Sequence, residues 1–166
     1  MLAGVLLTLT TSPTFGEPPR TTLSDQGVHY TSSGKHYAVL RRGEIEAVVV
    51  DNSAVDDRVL PGHGEGYSGI ASLKHIPRGE NVFVPAYSGL NYEHIHDGTT
   101  QPRDVIFEPR KVAMQLRIID DHTAELYQAP TPYWKLESWT RYALLADGTL
   151  EVTCQCIPRA PTFANG

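Results

Sequence analysis

Cysteine is nearly absent: Cys154 and Cys156 are the two in 166 residues. That number cannot build a disulfide framework, and two residues apart on one face of an extended strand they are badly placed to bridge each other. Leu150, Val152, Cys154 and Cys156 alternate with polar neighbours, so both cysteines are expected as small buried hydrophobes, with a Cys-x-Cys metal half-site as the competing reading. Charge of one sign is not concentrated either. Lys and Arg number 14 against 19 Asp and Glu, for a formal charge of -5. The mixing leaves no basic face and excludes nucleic acid and anionic lipid as partners. No stretch reads as an amphipathic helix of three turns. Gly-x-Ser-x-Gly, a phosphate loop and a dinucleotide fingerprint are all missing, which argues against serine hydrolysis and nucleotide chemistry.

Long hydrophobic runs are also lacking. The apolar start MLAGVLLTLTT is too short to span a membrane but has the length of a signal h-region, although no Lys or Arg precedes it. Residues 1–16 are therefore expected to be a signal-peptide-like leader, with residues 17–30 a polar linker and residues 31–166 one β domain. The location implied is secreted or periplasmic, with no membrane span once the leader is removed.

Turn formers are abundant, with 14 Gly and 12 Pro, and the apolar pattern has period two. Residues 37–41 and 45–50 flank Arg42-Gly43-Glu44 as one hairpin. Val112, Met114, Leu116 and Ile118 alternate towards a turn at residues 120–123, and residues 124–128 return as a partner. Residues 136–145 and 149–157 meet across Ala146-Asp147-Gly148 as a third. The fold class expected is all-β, an antiparallel β-sandwich.

The most chemical stretch is Tyr92-Glu93-His94-Ile95-His96-Asp97. In a strand it sets Tyr92, His94 and His96 on one face. Paired imidazoles suit a divalent metal, proton transfer or hydrogen bonding to sugar hydroxyls, or simply the polar end of a strand. A metal would need a third ligand from His63, Glu65, His75 or Glu108. The loop LPGHGEGYSG, residues 60–69, sets His63, Glu65 and Tyr67 among glycines and reads as a flexible surface loop. Tyr133, Trp134 and Trp139 could stack on pyranose rings. Core is favoured for Trp139, inside its strand, and Trp134 in its Pro-rich loop stands between the two roles. Arg141, on the Trp139 face, is either a donor to sugar hydroxyls or a partner for Glu137.

The segments YAVLRRGEIEAVVVDN, NVFVPAYSGLNYEHIHDG and LESWTRYALLADGTLEVTCQCIPRA resemble the opening half of bacterial secreted proteins of the galactose mutarotase-like (aldose 1-epimerase) superfamily. The likeness covers residue 37 onwards and includes Arg141-Tyr142 and Asp147-Gly148-Thr149-Leu150. It implies a supersandwich, here truncated at its C-terminus, whose concave face takes a carbohydrate ligand without a cofactor. His63, His94 and His96 would be the acid or sugar-contacting histidines, with Tyr92, Glu65, Tyr67, Trp134 and Arg141 binding the ligand. The later carboxylate base of that family has no counterpart before Gly166, which leaves two expectations open, part of a longer sugar epimerase-like enzyme or a small relative that binds carbohydrate without turnover, together with self-association through an open sheet. The His-x-His also resembles that of cupins, without their following Glu, and would make His94 and His96 ligands of a divalent metal. A third alternative is a non-catalytic interaction module of the cell envelope.

Overall fold

The computed structural model describes Leu23 and residues 28–164. The expected leader (residues 1–16) and most of the linker lie outside the described residues. Among the described residues eight strands and two single-turn helices follow one another: β1 (Thr31–Ser32), β2 (Tyr37–Arg42), β3 (Ile45–Val50), β4 (Gly69–His75), α1 (Arg103–Ile106), α2 (Glu108–Lys111), β5 (Gln115–Asp120), β6 (Thr123–Gln128), β7 (Leu136–Leu144) and β8 (Leu150–Pro158). They form two antiparallel sheets, β1-β5-β6-β7-β8 and β2-β3-β4. The fold is all-β and sandwich-like. Among the described residues no helix is long and apolar enough to cross a membrane.

All three expected hairpins form. β2 and β3 pair from Tyr37↔Val50 to Arg42↔Ile45 around Gly43-Glu44. β5 and β6 pair with Leu116 opposite Leu126, and β7 and β8 run in register from Leu136↔Pro158 to Leu144↔Leu150. Gly148, at φ 84°, supplies the left-handed residue that the Asp147-Gly148 turn needs. Strand β4 has no clear signature in the sequence. Its Gly69, Ala71 and Ser72 have weak β-preference, and it is buried on both faces, which erases the alternation a half-buried strand displays.

Period-two geometry places Leu116, Ala124, Leu126, Tyr142 and Leu144 on the inner face of the five-stranded sheet. There they meet Ala38, Leu40, Ala47, Val49 and Ile70 of the other sheet, forming the main core. Burying a side chain such as Leu40 contributes about 1.5–3 kcal/mol. Behind the smaller sheet, Val48, Val50 and Ala71 are sealed by Leu60 from the excursion of residues 51–68.

The outer face of the larger sheet is polar. Glu125 accepts from Arg117 at 3.2 Å and from Arg141 at 2.7 Å, and all but Arg141 are buried. The Arg117 guanidinium lies between the rings of Tyr30 and Tyr127, 4.4 and 4.0 Å from their centroids. Leu23 N–H donates to Gln155 Oε1 on the same face. Removing one member would leave a buried charge uncompensated and be strongly destabilising.

Four expectations need correction. Residues 92–97 are not a strand: among the described residues no strand lies alongside to form a ladder, although Ile95 N–H donates to Ile106 C=O at 2.9 Å. Cys154 and Cys156 are on the inner face as expected but exposed, because the smaller sheet packs over β5, β6 and β7 and not over the edge strand β8. Arg141 pairs across the ladder with Glu125, its register partner, whereas Glu137 accepts from Tyr127 and Arg159. Trp134 is fully buried, so its ring has no face free to stack on a ligand.

Candidate functional site

Helices of four residues have no stability of their own, and tertiary contacts must hold α1 and α2 in place. Asn52 and Gln128 do so from the two sheets. Asn52 Nδ2 donates to the carbonyls of Pro109 (3.3 Å), Arg110 (3.1 Å) and Val112 (2.7 Å). Gln128 Nε2 donates to Pro109 and Val112 at 2.9 and 2.7 Å. Buried Glu108 accepts the backbone N–H groups of Tyr133 at 2.6 Å and Trp134 at 3.1 Å. The Trp134 indole in turn donates to Val105 C=O at 2.9 Å and stacks on Phe163, with centroids 4.8 Å apart. Trp134 is therefore a keystone between both helices and the segment at Thr162 and Phe163. Glu108, with both oxygens engaged by backbone, is not free to ligate a metal.

The helices so fixed form one wall of an open cleft of about 600 Å³ lined by Glu65, Gly66, Arg103, Asp104, Phe107, Arg110 and Lys111. Arg110 is held rigidly. Its guanidinium lies 4.1 Å from the Tyr67 ring centroid and 5.6 Å from that of Phe107, and its Nε donates to Gly66 C=O at 3.0 Å. Gly66 has φ 83°, and a Cβ there would sit 3.1 Å from Arg110 Nε, so glycine is required both by the turn and by the close approach. Tyr67 packs edge-on against Tyr87. Arg103 lies over the Phe107 ring as well, 5.4 Å from its centroid. Among the described residues no ion pair is formed by Arg103, Arg110, Lys111, Glu65 or Asp104.

The expected site residues divide. Glu65 lines the cleft, Tyr67 supports its Arg110, and His94 packs on Phe107 with centroids 5.8 Å apart. His94 and His96 are exposed side by side, nearly parallel at 7° and 6.3 Å between centroids, as a shared face requires. His63 does not join them. It is 3% exposed, its Nδ1 facing Pro85 C=O and its Nε2 facing Tyr67 C=O at 2.7 Å, so it staples the glycine loop and leaves no nitrogen for a ligand. The loop around it is accordingly not a free surface loop. Tyr92, Trp134 and Arg141 also do not line the cleft. Asp97 is occupied by Thr99 and by the Ala164 N–H, which together hold its carboxyl down at about 2, the Thr99 hydroxyl foremost. Among the described residues no three His, Cys, Asp or Glu side chains are grouped to hold a metal ion.

Sequence reasoning did not single out Arg103, Phe107, Arg110 or Lys111. Their run, RDVIFEPRK, shows a signal only in hindsight: Pro109 early in a turn with basic residues after it. Two antiparallel sheets define the class, an all-β sandwich-like protein. No protein-family model, curated protein or solved structure matches the chain.

Proposed function

We propose that the protein is an exported carbohydrate-binding sandwich of mutarotase-like type, taking its ligand in the cleft beside α1 and α2. The observation that supports this is the composition of that cleft. Phe107 gives it apolar surface, and Arg103, Glu65 and Asp104, which form no ion pair among the described residues, add donors and acceptors for hydroxyls beside Arg110. Arg110 is preorganised, so little rotamer entropy is lost when it binds. His94, packed on Phe107, and His96 beside it are the groups available for proton transfer. Binding is the primary role assigned, because acid–base turnover of a sugar needs partners on opposite sides of the ring.

The test is a glycan array followed by calorimetry on the hits. Binding that falls at least tenfold in Phe107→Ala and in Arg110→Ala, with the far-ultraviolet spectrum unchanged, supports the reading. Absence of any glycan binding by the folded wild-type chain overturns it. The second reading, an interaction module of the cell envelope, is favoured by one observation: Val82, Val84, Tyr87 and Leu90 are all more than half exposed within nine residues.

A further inference from the structure

We propose that Cys154, Cys156 and Tyr92 form a binding site for a soft, thiophilic metal ion such as zinc or cuprous copper, separate from the carbohydrate cleft. Both thiols project from the inner face of β8 and are exposed, with Sγ atoms 3.9 Å apart. Metal–thiolate bonds of about 2.3 Å would span that separation at an S–metal–S angle of about 116°, between the tetrahedral and trigonal values. The pair therefore chelates without rearrangement. A disulfide is less suited: residues i and i+2 of a strand have Cα atoms about 6.6–6.8 Å apart, at the outer limit for bridging.

A further observation points to a ligand. The Tyr92 hydroxyl is buried beside Cys156, yet it lacks hydrogen-bonding geometry to any partner among the described residues. A buried hydroxyl left in that state is costly, and a metal at the thiols would use its oxygen as a third donor. Thr140 Oγ1 donates to Cys154 Sγ at 3.6 Å and helps to orient it. On binding, the metal displaces the thiol protons to solvent. No redox partner is needed. Soft sulfur ligands favour zinc or cuprous ions over calcium or magnesium.

The experiment titrates the full chain, reduced and metal-free, with cadmium as probe, following the ultraviolet thiolate-to-cadmium band, and then displaces cadmium with zinc. One cadmium per chain is expected. The band should vanish in Cys154→Ser and in Cys156→Ser, persist in a His94→Ala, His96→Ala double variant, and require about tenfold more cadmium in Tyr92→Phe. No band in the wild type, a band surviving either serine variant, or a Cys154–Cys156 disulfide in the chain purified without reductant would overturn the site. The cysteines are exposed, so circular dichroism of the serine variants should match the wild type.

Discussion

Replacing Trp134 with alanine separates a keystone from a sugar-stacking platform. The ring is fully buried, stacks on Phe163, meets Tyr133 edge-on and donates to Val105 C=O. Truncating such a side chain costs about 3–5 kcal/mol in lost contacts and cavity. Against a total stability of about 5–15 kcal/mol for a domain, that is about a fifth or more of what holds the chain folded. With a urea slope of about 2 kcal/mol per molar, the midpoint should fall by about 2 M in an unfolding curve followed by circular dichroism. Trp134→Phe keeps the stacking and loses the indole donor, so it should cost only about 1–3 kcal/mol for the orphaned Val105 carbonyl. A loss below about 1 kcal/mol in Trp134→Ala would refute the keystone role.

Cys154 should be alkylated by iodoacetamide with a midpoint near pH 6, and Cys156→Ala should move that midpoint up, because the Cys156 hydrogen bond is the main cause of the shift; a midpoint at the ordinary thiol value would refute the coupling. The Asp97 carboxyl is depressed in the fold, from 3.8 to about 2, so the tether to Ala164 is fully present above the unfolded value and lost as pH falls through about 2. The Ala164 amide resonance should titrate there, and a midpoint near 3.8 would contradict the assignment. Gly66→Ala should destabilise by about 1–2 kcal/mol, from the left-handed backbone alone, and displace Arg110; unchanged thermal melting would count against the tight loop. Sedimentation velocity should show concentration-dependent self-association that Val82→Glu with Val84→Glu suppresses. A monodisperse monomer at all concentrations is the contrary result.

The hairpins were legible because each couples period-two patterning to a short turn, and both signals are local. Residues 69–75 escaped because a strand buried on both faces has no alternation, and their Gly, Ala and Ser carry little preference. The site was legible only in outline. Glu65 lines the cleft and His94 packs on its Phe107, but its cationic wall comes from Arg103, Arg110 and Lys111 on helices too short to leave a period. His63 and Trp134 misled for the opposite reason. A histidine between glycines looks exposed and a tryptophan shortly after two prolines is ambiguous, yet each is drawn inward by partners distant in sequence: Pro85 for His63, Val105 and Phe163 for Trp134. Cys154 and Cys156 had the right face and the wrong environment, since the pattern fixes which side of the sheet they occupy and not how far the opposing sheet extends.

The convergence of Asn52 and Gln128 on the carbonyls of Pro109 and Val112 has a kinetic meaning. One amide follows the last strand turn of β3 and the other ends β6, so the receiving helix has both of its grips only after each sheet has formed and the two have docked. Folding should therefore finish at α2, and opening should start there: its amides are expected to exchange with solvent through a low-energy local excursion while the hairpins stay protected. The cleft wall would then be the last part of the molecule to assemble and the first to come apart.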